Sequence, residues 1–131
     1  MAEHPHAALV RKGYEAFSRG DMDALRGLMT GDCTHHVPGD HPLAGDYKGV
    51  DNVLRFYGQL FAETDGSLRV EIRDLFVDGR GHVVAVHHQT AGRGGRTIDQ
   101  DSCIVFRVVG DKITDLDECS PNLDEDNAFW A

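Results

Sequence analysis

The stretch THHVPGDHPLAGDYKG, residues 34 to 49, gathers three histidines, two aspartates, two prolines and three glycines in sixteen residues. A second histidine pair stands at His87-His88. Imidazoles carry protons near neutral pH and ligate metals, so both chemistries are open at first sight. Spacing separates them. Neighbours on a strand point to opposite faces, so His35 and His36 do not serve one metal, and neither do His87 and His88. A set of His36, His87 and Glu118 has suitable ligand types, but no spacing demands it, and we expect no metal. The prolines and glycines that follow Val37 serve a turn and a loop. One inward histidine of this stretch remains, either a working pocket residue or a core histidine with satisfied nitrogens. His4, His6, His41 and His82 read as solvated.

Other chemistries lack their signatures. There is no phosphate loop of the GxxxxGKT type and no GxGxxG after a strand. No GxSxG elbow occurs, and GRGG at Gly92–Gly95 reads as a hairpin turn. Cys33, Cys103 and Cys119 are odd in number and far apart in sequence, which points to reduced thiols in a cytoplasmic protein. Thirteen basic against 22 acidic residues leave a net charge of −9. That balance argues against nucleic acid and against an anionic membrane surface as partners. The start, MAEHPHAALVRK, has no apolar signal-peptide core, and no apolar run approaches the ~18 residues of a membrane span.

The elements that must position any site follow from periodicity. The 131 residues form one domain, long enough to fold without a metal or a disulfide. Val10, Gly13, Tyr14 and Phe17 recur at helical spacing, Gly20 closes that helix, and Asp21 caps a short second one with Met22, Leu25, Leu28 and Met29. Cys33 to Val37 is extended. A third helix after Gly49 carries Val50, Val53, Leu54, Tyr57, Leu60 and Phe61 on one side. The second half reads as strands, with Leu68, Val70 and Ile72 alternating, a β-branched run at 82–91, and two strands joined by a hairpin at Gly110-Asp111. Ile113 and Leu116 have opposite parity, so pattern alone does not orient the last strand. DEDNAFWA can form one helical turn. Helices followed by an antiparallel meander are an α+β pattern, in which a curved sheet wrapped over helices leaves a cone with an open end.

In this order the motifs resemble the SnoaL-like proteins of the NTF2-like superfamily, relatives of ketosteroid isomerases and limonene-epoxide hydrolases. The residues concerned are YEAFSRGDMDALRGLM, HVPG…PLAGDYKG, VVAVHHQTAGRGGR, IVFRVVGDKIT and the terminal FW, spread over nearly the whole chain. The resemblance implies a cone-shaped α+β barrel with a deep apolar pocket, and a homodimer formed through the outer sheet face, where Val105 and Val109 have outward parity. It implies that Ser102, Ile104 and Phe106 look inward and Arg107 outward, and that Leu116, Glu118 and Ser120 face the pocket. Glu118 falls where epoxide hydrolases of this fold place a catalytic aspartate, and His36 where they hold water with an asparagine. Matching to ketosteroid isomerases puts His87 and Gln89 inside, while an ungapped match to epoxide hydrolases favours His88; we take His87. Tyr14 lies on the helix that carries an oxyanion-donating tyrosine in ketosteroid isomerases. Phe17, Tyr57, Phe106 and Trp130 are expected on the wall or lid.

The chain departs from both families. Ile104 replaces the isomerases' oxyanion aspartate, and Val37 stands near their base. His88 and Thr90 stand near the arginine–aspartate pair of the hydrolases. The expectation is therefore a cofactor-independent proton-transfer enzyme, of isomerase, cyclase, dehydratase (lyase) or epoxide-hydrolase type. Its substrate would be an apolar small molecule such as a polyketide-like or other secondary metabolite. Glu118 would be the base, with a pKa raised by burial, assisted by His36 or His87 and by Tyr14. The alternative is a non-catalytic ligand-binding or assembly protein built on the same cone.

Overall fold

The computed structural model describes residues 2–131. Helix α1 spans Pro5–Arg19, with Pro5 at its first turn, where a missing N–H costs nothing. Gly20, in the left-handed conformation (φ 68°), donates to the last carbonyls and ends it. Asp21 then accepts from the Ala24 N–H and starts α2, Met22–Leu28. These boundaries match those read from the sequence.

Strand β1 is Met29–Val37, and the chain after it returns as β2, Gly45–Lys48, a short edge strand where the sequence predicts only a turn and a loop. Helix α3 covers Val50–Glu63, and strands β3 (Arg69–Val77), β4 (His82–Arg93), β5 (Arg96–Val109) and β6 (Lys112–Cys119) follow. A final helix, α4, runs Leu123–Trp130, longer than the single turn expected; Asn122 caps it by accepting from the Glu125 N–H.

The six strands form one curved, unclosed sheet in the order β2-β1-β6-β5-β4-β3. β1 and β6 run parallel and every other pair antiparallel, so the sheet is mixed. Helices α1 to α3 fill its concave side. Val10, Val53, Val83, Ile113 and Cys33 are completely enclosed there. Roughly 1.5–3 kcal/mol for each buried large aliphatic side chain makes this the main source of stability.

Two bulges decide which residues look inward. A shift between Arg107 and Val108 against β6 leaves Thr114 unpaired. It lets Ile113 and Leu116, of opposite parity, both be buried, at 0% and 3% exposure. A second shift between Ile72 and Asp74 ends the alternation of Leu68, Val70 and Ile72, and Leu75 carries the inward face onward. Cys103 and Cys119, distant in sequence, are cross-strand partners on β5 and β6, and all three cysteines are free thiols.

Candidate active site

On β1 the inward set is Cys33, His35 and Val37, all buried, so His35 and not His36 enters the cone. His36 lies on the outer face, about half exposed, and pairs with Asp46 of β2. This corrects the expected orientation. The alternation Cys33–His35–Val37 was the available signal, because two apolar residues share parity with His35.

His35 is held from both sides. Its Nδ1 lies 2.7 Å from the Tyr57 hydroxyl and its Nε2 2.6 Å from Glu118 Oε1. A neutral ring protonated on Nε2 satisfies both contacts: Nε2–H donates to the carboxylate and the tyrosine O–H donates to Nδ1. Tyr57 is buried, and burial, then the Glu118 charge, raises its pKa, so it stays a donor.

Glu118 stands opposite Ile104 on the concave face, where β5 and β6 pair. Its side chain is 31% exposed, and it lines the cavities of the cone. Burial opposes its ionisation, but in the acid range where the carboxyl titrates, the attraction and hydrogen bond of His35, then the charges that His87 and His41 acquire on protonation, outweigh it. The carboxyl is therefore held below the ordinary glutamate range, contrary to the expected rise. The reason is the donor on β1, which the sequence does not place beside β6.

A second pair completes the site. Tyr14 Oη from α1 and His87 Nδ1 from β4 are 2.6 Å apart, the rings 5.6 Å between centroids. Burial, then Glu118, pushes the Tyr14 hydroxyl well above its usual range, and burial lowers the His87 pKa. Both groups are neutral at pH 7, and the proton between them can sit on either side. His87 is buried as expected, while His88 turns outward to Asp99 and Asp101.

These groups share an inner cavity of about 80 Å³, room for several waters. Its remaining wall is almost wholly apolar: Phe17, Leu25, Met29, Leu60, Leu68, Val70, Ile104, Phe106, Ile113 and Leu116, with Gln89 near the rim. Gly13 faces it from the middle of α1, where a glycine costs helix stability but leaves space no larger side chain would. Beyond Glu118 lies a smaller outer chamber of about 60 Å³ under α4. There Ser102 and Gln89 donate to Gln100 Oε1, and the Trp130 ring lies tilted beside His41, 6.5 Å between centroids.

The expected residues thus divide. Glu118, His87, Tyr14, Phe17, Tyr57, Ile104, Phe106 and Leu116 meet in the inner cavity; Ser102 and Trp130 line only the outer one, and Gln89 both. Ser120 lines the outer chamber. His35, His41, Gln100 and Asp126 belong to the two chambers and were not foreseen. His41, read as solvated, is half-buried because α4 folds over its loop. Among the described residues no three His, Cys, Asp or Glu side chains are arranged to hold a metal, and no helix is long and apolar enough to cross a membrane.

A SnoaL-like domain profile matches residues 10–116. The uncharacterized protein Rv0034 of Mycobacterium tuberculosis is 37% identical over 131 residues, the whole of both chains. Among solved structures, Bal32a from a soil-derived mobile gene cassette superposes with a TM-score of 0.94 at 33% identity, over 97% of each chain. A proposed SnoaL-like polyketide cyclase from Jannaschia sp. CCS1 superposes with a TM-score of 0.76 at 17% identity, over 100% of this chain and 98% of that one.

Proposed function

This chain belongs to the SnoaL-like family, and from that premise we propose that it is a cofactor-independent enzyme moving a proton on an apolar small molecule. The observation that carries this reading is the concentration of Glu118, His35, Tyr57, Tyr14 and His87 in an otherwise apolar cavity. The triad Glu118–His35–Tyr57 and the pair Tyr14–His87 are enclosed at a desolvation cost, which proton transfer would offset more fully than the orientation of an apolar ligand alone. Similarity to a proposed polyketide cyclase makes a carbonyl-bearing, polyketide-like molecule the substrate class to try first.

Glu118 is the base. His35 holds one carboxylate oxygen, which leaves the other edge free to accept a proton from a substrate carbon or hydroxyl. A carboxylate this easily ionised is a weak base, so most of the activation must come from stabilising the oxygen that gains charge. The Tyr14–His87 pair fits that role, since a neutral hydroxyl in a dry pocket is an effective oxyanion donor. A carboxylate base of near-ordinary strength suffices elsewhere when such donors are present. Isomerisation, cyclisation, dehydration and epoxide hydrolysis share a first proton removal, from carbon, hydroxyl or water, and then diverge: the proton returns to another carbon, a new carbon–carbon bond forms, water leaves, or the activated water opens the ring. We further propose a homodimer through the outer sheet face, where Phe76 and Val109 are each 58% exposed.

The test is exchange of α-protons in a panel of aryl ketones dissolved in D2O, followed by NMR. The wild-type protein should accelerate exchange for at least one ketone, and Glu118→Gln should slow it about a hundredfold while binding persists. No acceleration across the panel, or equal rates in the variant, would refute the reading.

A further inference from the structure

The outer chamber contains a polar group that the proton-transfer chemistry does not use. Asp126 on α4 is 8% exposed, lines this chamber, and its Oδ1 has no hydrogen-bond partner. An orphaned carboxyl oxygen at this depth is costly unless something enters the chamber to meet it. The surrounding frame is fixed. Asn127 Oδ1 accepts from the Asp40 N–H at 2.6 Å and ties α4 to the loop after β1. Gly39 (φ 111°) makes that approach feasible, since a Cβ there would lie 2.8 Å from the same oxygen. Arg93 and Arg96 donate to the Ala131 carbonyl and hold the far end of the helix. Gln100 accepts from Gln89 and Ser102 and donates one amide hydrogen to Glu125 Oε1; it also bears on the Asp126 carboxyl, as Ser120 does, but neither meets Oδ1.

We propose that Asp126 donates a hydrogen bond to an uncharged acceptor oxygen, carbonyl or hydroxyl, of a small molecule whose apolar body lies in the inner cavity. Glu118 lines both chambers, so such a molecule would pass directly over the base. The proposal rests on the small-molecule reading above and adds a second anchoring point to it. Donation needs the protonated acid. Burial raises the Asp126 pKa, and the Glu118 charge acts in the same direction. Ser120, Gln100 and the His41 imidazole oppose it only in part. The groups facing the carboxyl are therefore His41 from the loop, Gln100 from β5, Glu118 and Ser120 from the end of β6, and Glu125 on its own helix.

The experiment is an NMR titration with three matched probes: acetophenone, its hydrocarbon counterpart α-methylstyrene, and the cation 1-phenylethylammonium. In mildly acidic buffer, where burial helps the Asp126 carboxyl keep its proton, wild-type protein should bind the ketone about tenfold tighter than the hydrocarbon, the scale of one buried hydrogen bond. Asp126→Asn keeps shape and a donor and should keep the preference; Asp126→Leu should reduce it to about twofold or less. Raising the pH should erode the preference in wild type but not in Asp126→Asn. Tightest binding of the ammonium, or loss of the preference in Asp126→Asn as in Asp126→Leu, would overturn the donor role. So would loss of the preference in Tyr14→Phe with Asp126→Leu unaffected, since the oxygen would then sit in the inner cavity. Equal affinity for ketone and hydrocarbon would remove this recognition site and leave the Glu118 chemistry standing. Failure of all three probes to bind at about 10 mM, a limit near the weakest affinities worth calling specific, would sink the small-molecule reading together with it.

Discussion

Replacing His35 by leucine tests the arrangement on which the whole site depends. The imidazole makes two hydrogen bonds, to Tyr57 at 2.7 Å and to Glu118 at 2.6 Å. Leucine fills similar space but leaves the Tyr57 hydroxyl, on a residue only 4% exposed, without a partner. That orphan costs about 1–3 kcal/mol, and loss of the charge-assisted bond to Glu118 adds about 1.5–3 kcal/mol before cavity water compensates. Glu118 is 31% exposed, so water replaces much of the second contribution. The net loss should be about 2–4 kcal/mol. Unfolding entropy for 131 residues translates each kcal/mol into about 4 °C of Tm, so a fall of about 8–16 °C is expected. Urea unfolding with an unchanged m-value checks the free energy. His35→Leu combined with Tyr57→Phe should lose less than the sum of the single changes, because the orphan hydroxyl is gone. His36→Leu is the control. It breaks only an exposed pair with Asp46 and should cost under about 1 kcal/mol. Equal losses at positions 35 and 36, or strict additivity with Tyr57→Phe, would refute the assignment of His35 to the interior network.

Acidification should destabilise the protein in two stages. His87 has a folded pKa below its ordinary 6.5, so its contribution is present above that pH and is lost as pH falls toward the folded value. Glu118, also lowered, contributes above 4.5 and fades below it, so urea midpoints should drop between pH 7 and 5 and drop further on reaching pH 4. Gly81→Ala should lose at least about 2 kcal/mol by thermal unfolding, since Gly81 has φ 106° and a Cβ would lie 2.5 Å from the Val108 carbonyl oxygen. In sedimentation equilibrium at tens of micromolar, a concentration chosen for a stable interface, wild type should be dimeric and Phe76→Asp largely monomeric. A monomeric wild type would remove the proposed sheet-face interface.

Much of the frame was legible because it rests on local rules. The left-handed stop at Gly20, the Asp21 cap, the stripe Val53–Leu54–Tyr57 and the hairpin at Gly110-Asp111 each depend on a few neighbouring residues. Short edge strand β2 escaped notice, since four residues following two prolines have no period of their own and extend only because β1 pairs with them. On β4 the resemblance left His87 and His88 as rivals, and the alternation Val83, Ala85, His87 and Ala91 on the buried face decides for His87, with Gln89 on the same parity.

Bulges and the covering of loops by distant segments required the tertiary structure. Ile113 and Leu116 could not be reconciled until one extra residue in β6 was seen to reset the pleat. His36 was expected inside and His35 is the one there, and a single-residue difference in register exchanges the two faces of a strand. The electrostatics went the same way. The family resemblance puts a glutamate in an apolar cone and predicts a raised pKa; the fold sets His35 of β1, His87 of β4 and His41 of the loop around it and reverses the sign. Which residue types are available for chemistry was written in the chain. Which of them meet, and in which protonation state, was decided by the sheet order that brings β1, β4 and β6 to one cavity and by α4 closing over its mouth.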